Sequence, residues 1–183
     1  GENGWARQYD LALALYGEGV RVAYRTGDGE QMARWRDRIL ANARTPADEL
    51  AVWEVRVQTE LAADPDRAIE TALDLCRSLG FDLPRHPAPE RLQDPRKRLE
   101  IHFSDGDIAP TGENRAVSRL LSLIWRATLE RAPELSRLIA QELVGGLAPE
   151  DCRGFAYAAA GFLSARDGDL DRAEICVRRG LEW

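Results

Sequence analysis

The dipeptide Gly-Asp stands between two helical patterns at two distant places, Gly27-Asp28 and Gly168-Asp169. Glycine can take the left-handed backbone that ends a helix, and aspartate can accept the first free N–H groups of the next one. The two turns lie about four intervals of roughly 34–36 residues apart. Asp64, followed by Pro65, falls near the expected second turn. This period constrains the fold more than any other feature. It predicts an all-α chain, a right-handed α-α superhelix of antiparallel helix pairs, with about four pairs and one irregular insertion.

The apolar spacing supplies the helices. Tyr9, Leu13, Tyr16, Val20 and Tyr24 recur every three to four residues within a segment from Trp5 to about Arg25. Further helices are predicted at about Gly29–Ala43, Pro46–Ala62 with Thr45 as cap, and from Pro65 to near Gly80, with Gly80 as a left-handed cap. After the insertion come about Asn114–Glu130, Pro133–Val144, Pro149–Arg166 and a last helix from near Asp169. Residues 1–80 and 113–183 thus form helix pairs of one continuous stack. Residues 81–112 are proline-rich and irregular, with Asp94 as cap of a short helix and "EIHF" as a short extended piece. Trp35, Trp53 and Trp125 are expected to fill seams between helices. The first residue is Gly and "EICVRRGLEW" stops within a helical pattern, so the sequence is expected to be a piece of a longer chain.

Charge and cysteine count narrow the function classes. A net charge of −6 argues against nucleic acid and anionic membrane as partners. No stretch approaches the ~20 apolar residues of a membrane span. Cys76, Cys152 and Cys176 are odd in number and form no CxxC pair, which predicts buried free thiols and a reducing cytoplasm. Lys97 is the only lysine; every other basic residue is arginine.

Around the second Gly-Asp turn the sequence resembles a tetratricopeptide repeat. Tyr157, Ala160-Gly161 and Ser164 stand at the repeat's first-helix positions, Gly168-Asp169 at its turn, and Ala173 at the small position of its second helix. Gly161 and Ala173 would let the two helices approach closely. A broader resemblance rests on "YDLALALYGEGVRVAYRTGDGEQM", "AIETALDLCRSLGFDLP", "APELSRLIAQELV" and "GFAYAAAGFLSARDGDLDRAE". These are similar to the helical-repeat region of large bacterial signalling proteins. In that family a kinase-like domain and a STAND-type ATPase precede the repeats, and a GAF sensor with a histidine kinase or cyclase follows. The resemblance implies a regulatory or scaffold segment with no active-site residue of its own.

Candidate sites are few. Asp167, Asp169 and Asp171 alternate like the first ligands of a calcium loop, but Arg172 and Arg178 stand where that loop needs glycine and a bidentate glutamate. Helix capping is the better reading. His102, Asp105 and Asp107 lack the further ligands of a catalytic metal, and the other histidine, His86, is separated by prolines. No phosphate loop, dinucleotide fingerprint or nucleophile elbow occurs. No catalytic residue, metal or cofactor is expected. Arg85, Arg91, Arg96, Lys97 and Arg98 form a locally basic run that could dock an acidic partner. The leading expectation is a non-catalytic interaction or domain-coupling segment of a cytoplasmic signalling protein. The alternative is a solenoid that senses a small effector in its groove, with Arg25, Trp35 and Arg56 as groove candidates.

Overall fold

Every regular element among the described residues is helical. The structure, a computed structural model, describes residues 2–92, 111–148 and 150–182. In chain order these are α1 (Glu2–Arg7), α2 (Tyr9–Thr26), α3 (Gly29–Leu40), a 3-10 turn (Pro46–Glu49), α4 (Leu50–Ala63) and α5 (Pro65–Ser78). A second 3-10 turn (Pro89–Arg91) precedes α6 (Gly112–Arg131) and α7 (Pro133–Glu142). A π-turn (Leu143–Leu147), α8 (Glu150–Arg166) and α9 (Leu170–Gly180) complete the order. The helices pair as α2/α3, α4/α5, α6/α7 and α8/α9, and each hairpin packs on the next.

The two Gly-Asp turns are built alike. Gly27 and Gly168 have φ of 74° and 81°, in the left-handed region that residues with a Cβ rarely enter. The Asp28 N–H donates back to the Ala23 carbonyl and the Asp169 N–H to that of Ser164, both at 2.9 Å. The Asp28 carboxylate then accepts the Gln31 N–H at 3.0 Å, and that of Asp169 accepts the Arg172 N–H at 3.2 Å. Asp64 caps α5 by accepting from the Asp66 and Arg67 N–H groups. Pro65 and Pro133 open their helices, where no N–H is needed. Gly80 ends the second hairpin at φ 87°, and Phe81 packs back on the core.

Some boundaries differ from the sequence expectation. The first helix does not run unbroken from Trp5, because Gln8 leaves helical geometry at φ −142°. The break lets Trp5 fold back and stack on Tyr16, with ring centroids 5.2 Å apart and planes 13° apart. In a continuous helix those residues would lie about 16 Å apart along the axis. Trp5 is only 6% exposed as a result, which gives the break its physical reason. The segment from Pro46 begins as a 3-10 turn, with the Asp48 carboxylate accepting the Thr45 N–H at 2.9 Å. The Asp94 cap and the "EIHF" strand fall outside the described residues.

The core lies in seams between hairpins. The largest cluster joins the second and third hairpins and reaches the fourth, through Val57, Ile69, Leu73, Leu120, Ile124 and Leu138, among others. Val20, Ile39, Ala51 and Val55 seal the first hairpin to the second. Ala140, Ala159 and Leu163 seal the third to the fourth. Trp53 is buried in the main seam, while Trp125 and Trp35 are half-buried at seam edges. Within the last hairpin, a Cβ on Gly161 would lie 3.2 Å from the Cys176 Cβ and 3.5 Å from the Ala173 carbonyl oxygen. The small side chains thus set the distance between α8 and α9.

Candidate functional site

Glu54 is the one carboxylate among the described residues whose residue is more than nine-tenths buried. It lies in "AVWEVRV", an apolar stretch of α4. Its charge is met from both sides. Arg21 of α2 donates from Nε at 2.6 Å, and Arg119 of α6 donates its Nε to the other carboxylate oxygen. A buried carboxylate is costly unless paired in this way. Burial works against the Arg119 charge, but the hydrogen bond and charge of Glu54 outweigh it and raise its pKa above the ordinary arginine value.

This triad sets a register across three helices. Arg21 and Glu54 are 33 residues apart, and Glu54 and Arg119 are 65 apart. A second pair between the same hairpins, Asp66 with Arg131 at 2.7 Å, repeats the separation of 65. Asp66 opens α5 just past the end of α4, so the two pairs place both ends of α4 level with α6, and α4 and α6 run parallel. One turn beyond the triad, Arg25, Gln58 and Leu123 come level; one turn further, Leu61 and Arg126 line the same depression.

An open trough follows this alignment. Its first part, about 420 Å³, is lined by Arg21 and Arg25 of α2, Glu54 and Gln58 of α4, and Arg119, Ser122 and Leu123 of α6. Asp151, Cys152 and Phe155 of α8 form its far wall. Leu123 also lines a second depression of about 390 Å³, with Leu61, Pro65, Arg126, Ala127 and Glu130. Beside Phe155 the aromatic surface continues, since Trp125 packs edge-on to Phe155 and Phe162, both with centroids at 5.7 Å. Phe162 is 51% exposed.

The side chains are not equally committed. Arg21 also pairs with Glu18 at 2.6 Å, and Asp151 lies 3.7 Å from Arg115. Among the described residues, Arg25, Gln58 and Arg126 take part in no hydrogen bond or ion pair. The Cys152 thiol is pushed up by burial first and by Asp151 second, so it is a poor nucleophile near neutral pH. Cys76 and Cys176 are buried too, and burial pushes the Cys76 thiol up to about 12.

The sequence candidates fare unevenly. Arg85 is not free for a partner: its guanidinium donates to Asp66, and to Glu70 at 3.0 Å, which pins the chain after α5 onto that helix. Arg91 is exposed at the end of its 3-10 turn, while Arg96, Lys97 and Arg98 lie outside the described residues. So do His102, Asp105 and Asp107. Asp167 is held by Arg137 in two bonds of 2.6 Å, and Asp169 caps α9. Among the described residues no group of three or more His, Cys, Asp or Glu is placed to hold a metal ion. Of the groove candidates, Arg25 lines the trough. Trp35 instead packs over Gly19 and borders a separate cleft with Trp5, Leu15 and Tyr16, and Arg56 pairs with Glu60 at 3.2 Å. Glu54, Arg119 and Arg126 were missed; the available signal was a lone carboxylate inside an apolar helical run.

Among the described residues no helix is long and apolar enough to cross a membrane. Comparison with family models, with curated proteins and with solved structures finds no match for this chain. Fold and site therefore define it by their own geometry: a row of helical hairpins with a trough that carries two unpaired arginines and, on its far wall, Phe155.

Proposed function

We propose that this chain is a protein-interaction and domain-coupling segment of a cytoplasmic signal-transduction protein, built as a right-handed, tetratricopeptide-like superhelix. The trough carries this reading. It draws residues from the first helix of all four hairpins, and three of its polar side chains are uncommitted. A stack in which each hairpin touches only its neighbours presents such a face to a bound segment and passes small rotations from end to end. Two features support the repeat: the 33-residue offset of the Arg21–Glu54 pair between α2 and α4, and the twin Gly-Asp turns. The insertion before α6 accounts for the near-doubled offset of 65. A binding role is favoured over catalysis because Glu54 is neutralised by two arginines and Cys152 is held as a thiol.

The effector-sensing alternative draws on the same trough, whose volume is within the range of small-ligand sites. Its continuation past Leu123 into a second depression favours a polypeptide. The test is photo-crosslinking inside the cell that makes the protein, with benzoylphenylalanine at Gln58 or, as control, at exposed Arg36. Capture of a defined polypeptide or flanking domain from position 58 alone is expected. Equal capture from both positions, or none from position 58, refutes the reading.

A further inference from the structure

We infer that the trough receives an acidic polypeptide segment that carries an apolar side chain between its acidic residues. The inference rests on the interaction role proposed above and specifies its partner. The chain as a whole is acidic, with a net charge of −6, yet the uncommitted charges at mid-trough are cationic. Arg21 is spent on Glu54 and Glu18, and Arg119 on Glu54, so the cations at the first level of the trough already have their carboxylates. One turn on, Arg25 is free on the α2 side; one turn further, Arg126 is free on the α6 side. Arginine favours planar carboxylates, which it binds with two parallel hydrogen bonds.

The groups between and around these cations settle the rest. Gln58, level with Arg25, has a free amide that can both donate to and accept from a peptide backbone. Leu123 lines both depressions and Phe155 lines the first, so an apolar side chain placed between two acids has a surface to cover. The trough carboxylates restrict where acids can sit. Asp151 lies 3.7 Å from Arg115 at the near end, and Glu130 lines the far depression. Acids are therefore accepted at the middle levels and repelled beyond Arg126. From Glu54 to Leu61 the trough runs about 10 Å along α4. That length holds about three residues of extended chain.

The test is selection of a random octapeptide library on the immobilised full chain, in parallel with an Arg25→Glu/Arg126→Glu variant. Enrichment of peptides with Asp or Glu on both sides of Leu or Phe is expected on the wild type and not on the variant. An enriched peptide, followed by fluorescence anisotropy, should bind about three- to tenfold more weakly to each single reversal. It should also lose affinity when salt is raised, but not to Arg36→Glu. Both arginines are exposed and unpaired, so the variants should keep the wild-type circular dichroism; if they do not, Arg25→Gln and Arg126→Gln replace them. Enrichment of neutral or basic peptides, or none above the variant, overturns the inference. So does citrate competing as well as the peptide, which would mark a small-anion site. Crosslinking at position 58 to a partner segment without acidic residues would uphold the interaction role and refute the acidic partner.

Discussion

Replacing Glu54 by Gln keeps the shape of the side chain and removes its charge. In the native structure the carboxylate is nearly fully buried, with its side chain 4% exposed, while the Arg21 and Arg119 side chains are 23% and 40% exposed. The two arms therefore have unequal worth. A hydrogen bond to a charged group contributes about 1.5–3 kcal/mol, and Arg21 is sheltered enough for that range to apply. Arg119 reaches water, so its arm contributes only about 0.5–1 kcal/mol. A glutamine retains one acceptor but turns its amide N–H₂ toward the other guanidinium. The expected loss is about 2–3 kcal/mol, set mainly by the Arg21 arm. At ~2–4 °C per kcal/mol for a chain of this size, Tm should fall by about 5–10 °C. Urea unfolding followed by circular dichroism measures this directly. Double-mutant cycles with Arg21→Met and Arg119→Met should give the larger coupling to Arg21, and that coupling should persist in high salt while the Arg119 coupling fades. A Glu54→Gln chain within about 0.5 kcal/mol of wild type, the ordinary scatter of neutral surface changes, would refute the assignment of Glu54 as the link between hairpins.

Two glycines of α2 should respond in opposite directions to alanine. A Cβ on Gly17 would meet the Ala51 Cβ at an ordinary 3.4 Å, so Gly17→Ala should gain up to ~1 kcal/mol of helix propensity. A Cβ on Gly19 would come within 2.7 Å of the Trp35 ring, and the overpacking, about 1–3 kcal/mol, should exceed that gain and destabilise the chain. Thermal melts of the two variants check the signs. The hydrogen bonds from Arg137 hold the Asp167 carboxyl below the usual aspartate value, so the pair contributes stability above the unfolded pKa. That contribution, about 0.5–1 kcal/mol for so exposed a pair, is lost as pH falls through the lowered folded value. Asp167→Asn should therefore be less stable than wild type at pH 7, and the gap should close below about pH 4, measured by urea titration across pH. Cys76, buried and with its thiol pushed up to about 12, should react with a thiol-specific reagent only as fast as the chain opens. Labelling at a rate unaffected by added urea would contradict its burial.

The helices and their punctuation were legible in the sequence because each depends on residues within one or two turns. The positive φ at Gly27, Gly80 and Gly168 follows from glycine alone. The caps at Asp28, Asp64 and Asp169 reach amides only two or three residues away. The break at Gln8 was less legible, since its reason is the burial of Trp5 against Tyr16 on the next helix. The pairing of Arg85, within the basic run, was illegible for a related reason. Local charge density does not show that Asp66 and Glu70, far back in the chain, stand ready to bind Arg85.

By itself the sequence determined the element type, the turns and the pairing of neighbouring helices. Those are decided by backbone preference, by capping and by connections too short to allow another partner. Only the tertiary structure decided the site. Arg21, Glu54 and Arg119 meet across separations of 33 and 65 residues, and their meeting depends on the register of one hairpin against the next. That register is chosen by the packing of the seams, in which Val20, Val55, Val57 and Leu120 interlock. It is also what separates the arginines. Along the chain they look alike, but in the fold Arg21 and Arg119 are bound to a buried carboxylate while Arg25 and Arg126 are left facing the open trough.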